Sequence, residues 1–208
     1  MQKYCKILLI ILIPVLVYLF SFGILIYDSS FYTKLTQKYS LMPEKAAEMN
    51  KDMVNYFITG QVPASFNEFN EREMTHLQDV RTVIHYLLGF FMIALVYFIV
   101  SLRFTKDKRK IFLYGGIISV VLPVLFLILP FDCIFSQMHS LFFAKGTWIF
   151  QINDLLVNLY PLEFFQAFAK SIILRGFCLG LVITAFSSKK LRLISFTTIK
   201  YINEFVIL

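Results

Sequence analysis

The sequence predicts an all-α integral membrane protein. It has four transmembrane helices, both termini cytoplasmic, and a small extracytoplasmic cap made by two outer loops. Three observations carry this. Charged residues are 16% and hydrophobic residues 58% of the 208-residue chain, where soluble domains carry about 25% charge. The apolar residues gather into four long runs. The basic residues flank those runs unequally, and that asymmetry sets the orientation.

The chain is expected to form a single membrane domain over 1–208. Its first helix is Ile7–Tyr27, preceded by Lys3 and Lys6. A run of about 21 residues crosses a hydrocarbon core of about 30 Å. It has neither the short core nor the small-residue cleavage site of a signal peptide, so it is expected to remain uncleaved. The long outer loop, 28–81, is polar but holds recurring aromatics, as a cap resting on the membrane surface would. Within it Pro43-Glu44 reads as a helix start and Gly60 as its stop.

The second span is expected at Thr82–Leu102, closed by a short basic loop containing Arg103, Lys106, Lys108, Arg109 and Lys110. The third is Ile111–Phe131, the second outer loop is 132–160, and the fourth span is about Pro161–Phe186. The tail, 187–208, reads as lying on the inner membrane surface. The first end, the middle loop and the tail hold 11 of the 20 Lys and Arg residues, which puts both termini in the cytoplasm. The net charge of +7 is explained by this topology, not by nucleic-acid binding. Cys5, Cys133 and Cys178 lack metal-ligand or redox spacing and read as free thiols.

The polar stretch before the second span is where chemistry is expected. Read as a helix, it places Arg72, His76 and Asp79 on one face. Asp79 is then positioned to accept a hydrogen bond from His76 and fix its tautomer, a usual acid–base device. The bland alternative is a solvated amphipathic helix with a chance histidine. His85 lies nine residues on, about 180° round the helix, and cannot share that site. His139 lies in the other outer loop, so His76 and His139 are the natural pair. A metal site from His76, Asp79, His139 and Asp154 has only generic spacing, so none is assigned. In the fourth span Arg175 comes out just outward of mid-membrane. It is costly there unless it pairs with Asp132 or a carbonyl, or donates to a lipid carbonyl or headgroup.

Two stretches resemble the signatures of a known family. Arg72-Glu73-Met74-Thr75-His76-Leu77-Gln78-Asp79-Val80 is similar to an Arg-Glu-x-x-His-Met-x-Asp-Val pattern, with leucine for methionine at 77. Met138-His139-Ser140-Leu141-Phe142-Phe143, then Gly146-Thr147-Trp148, Asp154-Leu155-Leu156 and Leu159-Tyr160-Pro161, resembles Phe-His-x-x-Phe-Phe, Gly-x-Trp and Leu-Phe-Pro. Here Met138 and Tyr160 replace phenylalanines. The family is the lipoprotein intramolecular transacylase (Lit) family of Gram-positive bacteria.

The resemblance implies a multi-pass cell-membrane enzyme, active on its extracytoplasmic face. It implies movement of the sn-2 acyl chain of a diacylated lipoprotein onto the α-amine of its N-terminal cysteine, which gives the lyso form. His76 and His139 match the catalytic histidines, with Asp79, Arg72, Trp148 and Asp154 in the matched stretches as supporting residues. Arg175, outside those stretches, is expected to support them from the fourth span. No cofactor is implied. The expected partners are the lipoprotein substrate and membrane lipid, with the enzyme a monomer. Two rival readings stay open. One is a membrane acyltransferase or protease using Cys133, Ser136 or Ser140 as nucleophile. The other is a non-catalytic transport or assembly protein.

Overall fold

The structure, a computed structural model, describes residues 2–144 and 146–188. Among these it is all-helical. Helix α1 is Gln2–Ile26, with the buried Pro14 inside it. Such a proline is tolerated where neighbouring helices compensate for the lost hydrogen bond. Asp28 caps α2, Ser29–Tyr39, by accepting the Phe31 N–H at 3.0 Å. Helix α3, Pro43–Thr59, begins on its proline and ends where Gly60 takes φ 78°, which only glycine adopts without strain.

After a 3-10 turn, Ala64–Glu68, helix α4 runs unbroken over Glu71–Arg103. The polar stretch and the second apolar run are therefore one helix of 33 residues. At 1.5 Å per residue it is about 50 Å long against a core of about 30 Å. Its first three turns, residues 71–81, thus project beyond the spanning part.

Helix α5 is Lys108–Ile128, three residues short of the expected end at Phe131. Extended backbone at Leu129 and Pro130 breaks it there. The second outer loop is then mostly structured, with α6 over Phe131–Phe142 and the short α7 over Leu155–Leu159. Helix α8, Leu162–Ser187, completes the described chain. Most of the tail expected on the inner surface, residues 189–208, lies outside the described residues.

Helices α1, α4, α5 and α8 pack into one bundle. Its core holds Leu9, Leu12, Leu16, Ala94, Phe98 and Ile111. Three of these helices are long and apolar enough to cross a membrane: Tyr4–Ile26, Glu71–Arg103 and Leu162–Ser187. Their outward positions carry large apolar side chains, such as Phe90, Ile93 and Val96. The cap is a second core, in which α2 and α3 pack on each other and α2 packs on α8. Tyr32, Met53, Phe57, Phe66, Phe164 and Phe168 fill it.

The buried Asn50 amide sits inside the cap with its nitrogen and oxygen both paired. Asn50 donates to Thr36 Oγ1 at 2.9 Å and Thr33 Oγ1 at 3.3 Å, and accepts from the Tyr160 hydroxyl at 3.0 Å. A buried amide is costly unless paired in this way. The network fixes Tyr160 at the entrance to α8.

Candidate active site

Asn70 and Glu73 determine where α4 begins. The Asn70 side chain accepts the Glu73 N–H, and the Glu73 carboxylate accepts the Asn70 N–H at 2.8 Å, a capping box. The second Glu73 oxygen accepts the Leu156 N–H at 2.6 Å. Glu73 is 1% exposed, so this carboxylate is buried and satisfied by backbone donors. One turn later α4 presents His76. The Asn70-x-x-Glu73 spacing was readable in the sequence; the bond to Leu156 was not.

His139 comes from the inner side of α6. Its ring faces that of His76 with centroids 6.0 Å apart and planes 21° apart. The structure thus brings the two histidines from separate outer segments together. Phe143 and Phe150 meet the His76 ring edge-on at 4.8 and 5.2 Å. Phe135 and Trp148 pack against His139 at 4.0 and 5.0 Å. Both histidines line one cavity of about 170 Å³, with Leu156, Tyr160, Leu162 and Phe165 completing its walls.

The two imidazoles differ in their hydrogen bonds. His139 Nδ1 lies 2.8 Å from the Phe135 carbonyl. A carbonyl only accepts, so in the neutral ring Nδ1 carries the proton and Nε2 keeps a free lone pair. His76 Nδ1 is buried with no partner among the described residues. Burial pushes both imidazoles below their ordinary value. For His76 the neighbouring His139 adds to this, and for His139 the Phe135 carbonyl partly offsets it. Both are therefore neutral near pH 7.

The expected Asp79–His76 bond is absent among the described residues, which corrects the sequence reading. Three residues leave Asp79 about 60° round the helix from His76. The aromatic ring contacts draw the imidazole inward, while Asp79 stays half-buried at the side. The tautomer-fixing role belongs instead to the Phe135 carbonyl, acting on His139.

Arg72 and Asp154 act on the backbone near the pocket. Arg72 donates to the Ile149 carbonyl at 3.2 Å. Asp154 accepts from Gln151 N at 2.6 Å and from Asn70 Nδ2 at 3.1 Å. Together they tie the segment carrying Trp148 to the start of α4.

Arg175 does not join them. It lies on the exposed side of α8, ten residues or about 15 Å along the axis from Phe165. It makes neither the expected pair with Asp132 nor another hydrogen bond among the described residues. His85 is exposed and, among the described residues, bonds only the Arg81 carbonyl, at 2.8 Å. Cys133, Ser136 and Ser140 are exposed on α6, and none lines the pocket. The pocket therefore offers two neutral bases within an apolar box, and no serine or cysteine nucleophile among the described residues.

This chain has relatives of known fold. The in meso structure of the membrane integral lipoprotein intramolecular transacylase Lit from Bacillus cereus matches with a TM-score of 0.74 at 17% identity, covering 93% of this chain and 98% of that one. A histidine-to-arginine variant of the Bacillus cereus protein gives 0.73 at 14% identity, covering 95% of each chain. At these identities the likeness is one of fold. An uncharacterised protein from Aquifex aeolicus (strain VF5) is 22% identical over 118 residues, 55% of this chain and 54% of that protein. The match thus spans about half the length of that curated relative. The family model of the lipoprotein intramolecular transacylase Lit matches residues 3–165. The chain belongs to the lipoprotein intramolecular transacylase Lit family.

Proposed function

We propose that this chain catalyses O-to-N acyl transfer within a diacylated lipoprotein. The sn-2 acyl group of the diacylglyceryl moiety passes to the α-amine of the N-terminal cysteine, leaving the lyso form. The observation that carries the reading is the facing pair His76 and His139 in an apolar pocket without an enzyme nucleophile.

The substrate supplies its own nucleophile. An α-amine has a pKa of about 8, so a useful fraction is neutral near pH 7. That amine attacks the ester carbonyl and forms a zwitterionic tetrahedral species. His139 Nε2, with its lone pair free, takes the ammonium proton as general base. The protonated His139 hands that proton to the facing His76, which delivers it to the departing glycerol oxygen as general acid. Both rings end neutral, as they began. The C–O bond breaks, the amide N–C bond remains, and no covalent enzyme intermediate forms.

Well-oriented intramolecular reactions reach effective molarities of about 10⁵ M or more. The enzyme's share is then to fold the headgroup into attack geometry and to move protons. Ester to amide is downhill, so the chemistry as written requires no cofactor. Arg72, Trp148 and Asp154 hold the pocket wall. Asp79 and Arg175 have no assigned part in the chemistry.

The topology that supports this reading makes α5 a fourth span, packed between α1 and α8. The basic flanks put both termini in the cytoplasm and the histidine pocket outside, where mature lipoproteins reside. The enzyme acts as a monomer.

The test is expression in a host that makes only diacylated lipoproteins, followed by mass spectrometry of the N-terminal lipopeptides. One acyl chain should move to nitrogen without change in total mass. His76→Ala and His139→Ala should each abolish that product while still inserting, and His85→Ala should retain it. Unmoved chains with the wild-type protein would overturn the reading.

A further inference from the structure

The proposed chemistry leaves one edge of the pocket unused. Phe135 on α6 and Phe165 on α8 both line the cavity, and their rings meet with centroids 5.4 Å apart. Phe165 and its neighbour Leu162 stay 38% and 37% exposed, whereas Tyr160 on the cap side is 5% exposed. The pocket is therefore closed toward the cap, and its accessible apolar edge lies between α6 and α8.

Helix α6 indicates what lies outside that edge. At 100° per residue, Phe131, Ile134, Met138, Leu141 and Phe142 share one arc about 100° wide. Asp132, Ser136, Gln137 and Ser140 occupy the opposite side. Leu141 is 77% exposed and Phe142 44%. The cap helices differ, since the outward positions of α2 and α3 include Lys34, Lys38, Glu48 and Lys51. An amphipathic helix with an exposed apolar arc lies in the membrane interface, its apolar side in the acyl region. His139 sits between the two arcs of α6, where hydrocarbon gives way to headgroups.

We propose that the Phe135–Phe165 contact is a lateral portal, through which a glycerolipid acyl chain of the outer leaflet enters the pocket. With α6 in the interface plane, the chain crosses between the two phenyl rings. The ester then lies beside His139, and the polar headgroup stays on the water side. The portal requires only a glycerolipid ester. It rests on the transacylase reading for the identity of the headgroup and for nothing else.

Trp148 is the only tryptophan in the chain, and it sits in this pocket beside His139. Its fluorescence reports lipid entry without any assay of activity. The full chain would be placed in nanodiscs of phosphatidylcholine, brominated either close to the ester or near the methyl end. Each signal is taken relative to unbrominated nanodiscs. Bromine near the ester should quench Trp148 strongly, and bromine near the methyl end weakly. Phe165→Arg, which places a charge in the portal, should lose most of the shallow quenching, while Phe165→Leu should keep it. Should Phe165→Arg fail to fold, Phe165→Ser makes the same comparison.

Equal quenching in the wild type and the folded polar variant would overturn the portal, as would weak quenching at both depths. Quenching without lyso-form product would keep the portal and remove the transacylase reading. Product without quenching would do the reverse.

Discussion

The Glu73 carboxylate joins two helices that are distant in sequence. One oxygen accepts the Asn70 N–H at 2.8 Å within α4, and the other accepts the Leu156 N–H at 2.6 Å on α7, 83 residues away. It therefore sets both the start of the His76 helix and the position of a pocket wall.

Glu73→Gln should lower stability and turnover together. The amide oxygen replaces only one carboxylate oxygen, and the amide nitrogen would face an N–H, donor against donor. Leaving a buried donor unsatisfied costs about 1–3 kcal/mol. Glu73→Asp is one methylene short and should fare no better. Thermal unfolding in detergent, with turnover per folded molecule, checks this. A Glu73→Gln protein as stable and active as wild type would remove the coupling between α4 and α7.

The histidine pair makes a pH prediction with a definite sign. Both folded-state values lie below the unfolded value of about 6.5. Between those values the unfolded chain binds more protons than the folded one, so stability rises with pH there. The contribution is fully present above about 6.5 and is lost as pH falls from there through the folded values. Melting temperature should drop on acidification, and His76→Phe should flatten that dependence. The acid limb of kcat/KM should follow the substrate amine, at about 8, because the histidines titrate below it. A melting temperature that is flat across the acid range would contradict the burial of both rings.

A packing prediction tests the bundle beneath the site. A Cβ on Gly176 of α8 would run into the Tyr18 ring of α1. Tyr18 has little freedom to withdraw, because its hydroxyl donates to the Ser119 carbonyl of α5 at 2.7 Å. Gly176→Ala should cost about 1–3 kcal/mol, the usual range for overpacking. Gly89→Ala, with nothing within 4 Å, should be neutral or slightly stabilising. The two melting temperatures, compared side by side, decide it. Equal values would mean that α1 and α8 are not this close.

The sequence by itself determined the membrane class, because 58% hydrophobic residues gathered in long runs have no soluble solution. Local rules also marked the ends of α3, through Pro43 and Gly60, and the face of α4 that carries His76. Those signals act over one or two turns, and side chains three or four residues apart are their natural currency. The same locality misled the reading of Asp79, a neighbour by spacing that the tertiary packing leaves aside. It also hid α6, whose mixed polar and apolar positions read as loop, until His139 was seen on its inner side.

Only the tertiary structure decided that His76 and His139 face each other at 6.0 Å, and that the Phe135 carbonyl orients one of them. It alone tied Glu73 to Leu156 and left Arg175 on the outer side of α8. The physical reason is burial. The apolar box around the histidines is assembled from α4, α6, α7, α8 and the segment between α6 and α7. No stretch of sequence records which rings will close on an imidazole contributed from another helix.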